Sequence, residues 1–234
     1  MYSKEQFAKM IDNTLLRPDS TKDDVLRLCE ESAMRHFASV CILPCWVGTA
    51  SRALNGSDVK VCTVVGFPFG ANTRLSKVFE VKNAVANGAK EIDAVMNLTR
   101  FKSGDYETVA QDLAGLVEAS RAGSINDDSR RVLLKVIIET CFLTDDEKEH
   151  ASRLVRDAGA DFVKTSTGTA SGGATVDDIR LIRRAVGPST IGIKASGGIK
   201  TLQTALQMLD AGANRIGTSS GSALYDSYSP AECE

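Results

Sequence analysis

Two apolar stretches each carry a lysine where a lysine is costly. Asp161-Phe162-Val163-Lys164-Thr165-Ser166-Thr167-Gly168 starts as a strand and ends in hydroxyls and glycine. Further on, Ile191-Gly192-Ile193-Lys194-Ala195-Ser196-Gly197-Gly198 repeats the arrangement. Burial disfavours an ammonium's charged form, so a lysine inside a buried strand reads as an amine wanted for chemistry. A neutral amine adds to a carbonyl, and the iminium that results is an electron sink for breaking a carbon–carbon bond. Other catalytic sets are poorly supplied. His36 and His150 are the two histidines of the chain. Neither has neighbours at ligand spacing, which argues against a zinc site and against a histidine-based triad.

The elements that must position these lysines follow from periodicity and punctuation. Strands are predicted at Met10–Leu16, Ser39–Leu43, Val59–Val65, Glu91–Met96, Val132–Glu139, Asp161–Thr165, Thr190–Ala195 and Asn214–Gly217. Helices are predicted at Lys4–Lys9, Trp46–Leu54, Ser76–Asn87, Tyr106–Ala122, Asp145–Ala158, Val176–Val186 and Leu202–Ala211, with a short one after Ser219. Another starts at a cap on Ser20 or Thr21 and turns Val25, Leu26, Cys29, Met34 and Phe37 inward. Residues 123–131 read as a polar loop. Apolar strands alternating with helices indicate a parallel sheet, and eight such units in 234 residues fit an α/β fold, a closed (β/α)8 TIM barrel. A single domain spans residues 1–234. The alternative, an open doubly wound sheet, usually has a glycine-rich turn after its first strand, and Asp12-Asn13-Thr14-Leu15 has none. Gly88-Ala89, Gly159-Ala160 and Gly212-Ala213 each join a helix to a strand, as repeated copies of one unit would.

Strand alternation then sorts side chains between barrel interior and helix layer. Asp93, Lys135, Lys164 and Lys194 all fall opposite in phase to their apolar neighbours. They occupy the fourth to seventh strands, so one carboxylate and three amines converge near the C-terminal strand ends, where barrel active sites lie. Any one such lysine, taken alone, more commonly snorkels to solvent. Two readings stay open for Lys135, a structural counter-ion of Asp93 or a catalytic group. Cys41 reads first as a small core thiol. Asp12 either orients a substrate hydroxyl or caps a turn. Excess positive charge in a confined site suggests an anionic ligand. Gly197-Gly198 after the seventh strand and Gly217-Thr218-Ser219-Ser220 after the eighth sit where barrels often hold phosphate, and Gly168 can add an amide.

Composition removes other classes. Net charge is −2, which favours neither nucleic acid nor an anionic membrane. No apolar run approaches the ~18 residues of a membrane span, and the N-terminus does not read as a signal peptide. The six cysteines form no CxxC pair, as expected of free thiols in a reducing cytoplasm.

Several motifs together resemble the deoxyribose-phosphate aldolases, a family of class I aldolases. They are Ile11-Asp12-Asn13-Thr14-Leu15-Leu16-Arg17-Pro18, Val40-Cys41-Ile42-Leu43-Pro44, Val65-Gly66-Phe67-Pro68-Phe69-Gly70, Glu91-Ile92-Asp93-Ala94-Val95-Met96-Asn97 and Leu134-Lys135-Val136-Ile137-Ile138-Glu139-Thr140. Asp161–Gly168, Lys194–Gly198 and Arg215–Ser220 complete the set. The resemblance implies metal-free, cofactor-free cleavage of 2-deoxy-D-ribose 5-phosphate to acetaldehyde and glyceraldehyde 3-phosphate. It implies Lys164 as the Schiff-base former, Lys194 as its activator and Asp93 as the proton-transfer group. Lys135, Cys41, Asp12 and Thr165 are then supporting residues, and Gly168, Gly197, Gly198, Ser219 and Ser220 hold the phosphate. Asn13, Arg17 and Leu43 depart from the family's usual His, Lys and polar residue, which bears on fine substrate preference. The alternatives are another Schiff-base sugar-phosphate lyase, a transaldolase, or a barrel that binds a sugar phosphate without turnover. A homodimer or homotetramer is the assembly expected.

Overall fold

The computed structural model describes residues 2–122, 131–188 and 191–230. Eight parallel strands close on themselves in sequence order. They are β1 (Ile11–Leu15), β2 (Ser39–Ile42), β3 (Lys60–Val65), β4 (Glu91–Val95), β5 (Leu133–Ile137), β6 (Phe162–Lys164), β7 (Gly192–Ser196) and β8 (Arg215–Thr218). The helices are α1 (Lys4–Ala8), α2 (Lys22–Met34), α3 (Val47–Ala53), α4 (Arg74–Ala86), α5 (Leu98–Lys102), α6 (Tyr106–Arg121), α7 (Asp145–Asp157), α8 (Val176–Val186), α9 (Leu202–Asp210) and α10 (Gly221–Ser227). This is the TIM barrel that the alternation of strands and helices predicts. Residues 123–130 of the predicted 123–131 loop, Thr190 and Cys233 lie outside the described residues.

Threonines start the helices on the side where the strands end. Thr21, Thr73, Thr144, Thr175 and Thr201 each accept a backbone N–H from three residues on. Such a cap is worth about 1 kcal/mol, and here it also fixes where each loop over the barrel mouth must end. The three Gly-Ala joints share one geometry at the opposite face. Ala89, Ala160 and Ala213 donate to Ala84, Val155 and Met208 at 3.0, 3.3 and 3.0 Å. The glycine before each is left-handed, with φ of 106°, 84° and 115°. This is a Schellman ending, which favours glycine because the left-handed region penalises a Cβ.

The pleat divides the molecule into an apolar outer core and a polar barrel interior. Ile92, Ala94, Leu134, Val136, Val163, Ile193, Ala195 and Ile216 face outward into one large hydrophobic cluster with the helices. Cys41, Cys62 and Val64 form a separate small cluster inside the barrel, with Leu16, Leu43 and Phe67 packed on it. Two predicted core positions are corrected. Leu26 and Met34 on α2 are 37% and 65% exposed, because the buried stripe of that helix runs through Val25, Cys29 and Ser32. The short helix α5, capped by Asn97, has only five residues and left no periodic signal.

Candidate active site

Pairing register brings the charged side chains level. Asp93 on β4 is opposite Lys135 on β5, Lys164 on β6 is opposite Lys194 on β7, and Lys194 is opposite Arg215 on β8. Asp93 is the hub. Its Oδ2 accepts from Lys164 Nζ and Lys194 Nζ, each at 2.7 Å. Its Oδ1 accepts from Lys135 Nζ at 2.9 Å, with Cys62 Sγ at 3.2 Å. All four predicted groups therefore meet at one carboxylate. Burial opposes ionisation of Asp93, but the ammoniums of Lys135, Lys164 and Lys194 outweigh it and hold the carboxyl well below the usual range.

The supporting residues sort clearly. Asp12 caps no turn: it is fully buried in the barrel, where Lys194 Nζ and Arg215 Nη1 each lie 2.5 Å from it. Burial would raise Asp12, yet Arg215, Lys194 and Lys135 depress it. Burial would likewise strip Lys194 of its proton, but Asp12 and Asp93 raise it above the ordinary lysine value. The same contest, won by Asp93, Cys62, Glu91 and Asp12, leaves Lys135 raised well above that value. Cys41 is a buried core thiol, as its plainer reading had it, and the small apolar cluster that holds it borders Asp93, whose Oδ2 lies 3.8 Å from its sulfur. Its hydrogen bond with Cys62 pulls it down, while burial pushes Cys62 up. Thr165 exchanges hydrogen bonds with Ser196, at 3.1 Å from its hydroxyl to the Ser196 carbonyl and 3.1 Å from the Ser196 amide. It ties the mouths of the two lysine strands together.

Above the cluster opens a cleft of about 460 Å³. Lys164 reaches it, and Thr14, Thr167, Gly168, Gly197, Gly198 and Ser219 line it. Ser220 does not line it and instead heads α10, its amide donating to Thr218 Oγ1 at 2.9 Å. Lys194, fully buried beneath, does not line it either. A depression of about 500 Å³ beside Arg74 and Gln111 touches none of the cluster's groups.

Sequence reasoning passed over several residues of this site. Glu91 and Arg215 share the phase of Asp93 and Lys194, so alternation alone could have found them. Glu91 Oε2 lies 2.5 Å from Lys135 Nζ and 3.2 Å from Arg215 Nη1. Cys62 is the β3 register partner of Cys41, and no spacing motif announces a pair that pairing creates. The two thiols and Asp93 place ligand-type atoms within 4.8 Å of one another. The Asp93 oxygens there already accept from three ammoniums. Glu139, at the end of β5, takes a left-handed backbone with φ 52°. Its carboxylate accepts the Thr167 amide at 3.1 Å and the Thr167 hydroxyl at 2.5 Å, which shapes the loop after Lys164.

The chain is 50% identical over 223 residues to a deoxyribose-phosphate aldolase of Geobacillus sp. (strain WCH70), covering 95% of this chain and 96% of that protein. It is 54% identical over 213 residues to that of Brevibacillus brevis, covering 91% and 92%. Among solved structures, the tetrameric deoxyribose phosphate aldolase from Aeropyrum pernix superposes with a TM-score of 0.86 at 33% identity, covering 96% of this chain and 92% of that one. The family model described as DeoC/LacD family aldolase matches residues 7–227. By both the extent of that match and the identity to its relatives, the chain belongs to the DeoC/LacD family of aldolases.

Proposed function

We propose that this chain reversibly cleaves 2-deoxy-D-ribose 5-phosphate to acetaldehyde and D-glyceraldehyde 3-phosphate through a Schiff base on Lys164. The observation that carries the reading is two buried strand lysines sharing one carboxylate oxygen at 2.7 Å, one of them lining the cleft and the other beneath it. The neutral Lys164 amine adds to C1 of the open-chain sugar, and loss of water gives the iminium. The C2–C3 bond then breaks. Its electron pair moves into the enamine, and the C3 hydroxyl gives up its proton as glyceraldehyde 3-phosphate leaves. Protonation of the enamine at C2 and hydrolysis release acetaldehyde. Asp93, kept ionised by Lys135 and Lys194, shuttles these protons through a water. Gly168, Gly197, Gly198 and Ser219 on the cleft wall hold the phosphate with backbone amides and the Ser219 hydroxyl, and Ser220 supports them from the head of α10. Thr165 keeps the two lysine strands in register.

The reaction is proposed for the cytoplasm, where the free cysteines stay reduced. The assembly is proposed as a homodimer or homotetramer. Leu75 and Phe79, one turn apart on α4 and 78% and 70% exposed, give such an interface apolar surface.

Incubation with acetaldehyde and borohydride tests the mechanism. The reduced adduct is expected on Lys164, and Lys164→Ala should lose both the adduct and cleavage of the phosphorylated sugar. A label on Lys135 or Lys194 in the unaltered protein would refute the assignment. Label on Lys164 without cleavage of the sugar phosphate would leave a barrel that binds but does not turn over.

A further inference from the structure

Beneath the lysines the barrel is floored by a second tier of charge. Glu91 and Arg215 sit on β4 and β8, and both are turned inward. Arg215 Nη1 lies 2.5 Å from Asp12 Oδ1 and 3.2 Å from Glu91 Oε2. Its guanidinium also lies over the Phe162 ring, at 5.6 Å from the centroid. Glu91 Oε2 in turn lies 2.5 Å from Lys135 Nζ. The contacts form a closed circuit. It runs from Asp93 through Lys135, Glu91, Arg215, Asp12 and Lys194 and back to Asp93.

Lys164 hangs outside this circuit. Lys135 has Glu91 and Asp93, Lys194 has Asp12 and Asp93, and Arg215 has Asp12 and Glu91. Among the described residues, Lys164 is the cation of the cluster whose ion pairing rests on Asp93 alone. The circuit contains Asp12, Glu91 and Asp93 against Lys135, Lys194 and Arg215, so its formal charges cancel. A dry interior favours that balance, because an uncompensated buried charge is expensive. Lys164 is the surplus, and it is also the lysine that opens to the cleft.

We infer that Glu91 and Arg215 are positioning residues for the carbon–carbon cleavage: by partnering Lys135 and Asp12 they close a neutral circuit around Asp93, which leaves Lys164 as the one amine of the cluster outside it. Neither residue lines the cleft. A floor that served only to plug the barrel would need shape at these positions, whereas this role needs charge. The inference rests on Lys164 being the imine-forming lysine.

Sign separates the two roles. Replacing Glu91 by glutamine removes a negative charge, makes the cluster more positive and favours the neutral amine at Lys164. Replacing Arg215 by methionine removes a positive charge and does the opposite. The other ionisable groups of the barrel interior around Asp93, which are Asp12, Cys41, Cys62, Lys135 and Lys194, are unchanged in these variants.

The test is the pH profile of borohydride trapping of acetaldehyde in intact protein, with the label located by mass spectrometry. The acid limb should move down by about one pH unit in Glu91→Gln and up by about one in Arg215→Met. In the double variant the net charge is restored, and the limb should return to within a few tenths of a unit of wild type. Shifts of the same sign, no shift, or a double variant that fails to return would overturn the inference. If either single variant does not fold, Glu91→Asp and Arg215→Lys carry the test. These keep the charge and change the reach, so their limb should overlay wild type even where turnover falls, and a shift of one unit would overturn the inference. A wild-type label away from Lys164 would instead sink the proposed mechanism, which keeps the two failures distinguishable.

Discussion

Asp93 Oδ2 accepts from two ammoniums at the same 2.7 Å, yet the two lysines are not equivalent. Lys194 also has Asp12 at 2.5 Å and lies sealed below the cleft, so its charge has a fixed partner. Lys164 stands at the cleft with Asp93 as its share. Lys194 is thus a persistent cation beside it, and like charges in a dry site disfavour each other. Lys194→Leu removes that cation and keeps much of its bulk. The acid limb of acetaldehyde trapping should rise by more than one pH unit, and cleavage at pH 7 should fall on the order of 100-fold. A phosphate-holding role predicts something else, a raised KM for the phosphorylated sugar with trapping unaltered, since acetaldehyde has no phosphate. Superimposable trapping profiles would take Lys194 out of the activator role.

At the scale of the element, strand glycines decide where the lysines can lie. A Cβ on Gly217 of β8 would stand 2.9 Å from Lys194 Cε and 3.0 Å from Ser196 Cβ. A Cβ on Gly192 of β7 would stand 2.2 Å from the Phe162 ring, on the barrel floor. Gly217→Ala should therefore push Lys194 off Asp93 and reduce kcat about tenfold or more while the protein stays folded. Gly192→Ala should overpack the floor, cost about 1–3 kcal/mol in urea unfolding and lower kcat less. The reverse ranking in kcat would refute this division. The strands themselves were legible, because apolar runs and alternation report which face is buried. Lys164, Lys194, Lys135 and Asp93 were legible because each breaks an apolar run. Glu91 and Arg215 were not singled out because each lies at a strand's first residue, where a charge looks like the polar edge of a loop. Leu26 and Met34 misled because several frames of a thirteen-residue amphipathic helix look alike until its neighbours are known. Cys62 and Glu139 escaped because their roles come from pairing and from one left-handed backbone angle, neither of which a linear pattern encodes.

For the whole molecule, the separation of an apolar outer core from an ionic barrel interior sets how stability responds to pH. Asp93 and Asp12 have folded values below the unfolded ~3.9, held there by the lysines and Arg215 against the opposing effect of burial. Carboxyls depressed in this way contribute stability that is complete above the unfolded value and is lost as pH falls through the folded one. Lys135 and Lys194 have folded values above the unfolded ~10.4. Their contribution is complete below that value and is lost as pH rises through the raised one. Asp112 works the other way in acid. Burial raises it despite its ion pair with Lys77, so its protonation softens the acid loss without reversing two buried depressed carboxyls. Burial also raises the Cys29 and Cys62 thiols, which adds a loss above the unfolded thiol value of ~8.5, so the urea midpoint should be flat from about pH 5 to pH 8, fall below about pH 4 and fall again above about pH 9. Because the groups are buried, raising salt from 0.1 to about 0.5 M should leave both limbs in place, whereas surface pairs would be screened. A midpoint that falls between pH 6 and 8, or limbs that salt abolishes, would mean that the interior circuit does not govern the pH response and that surface charge does.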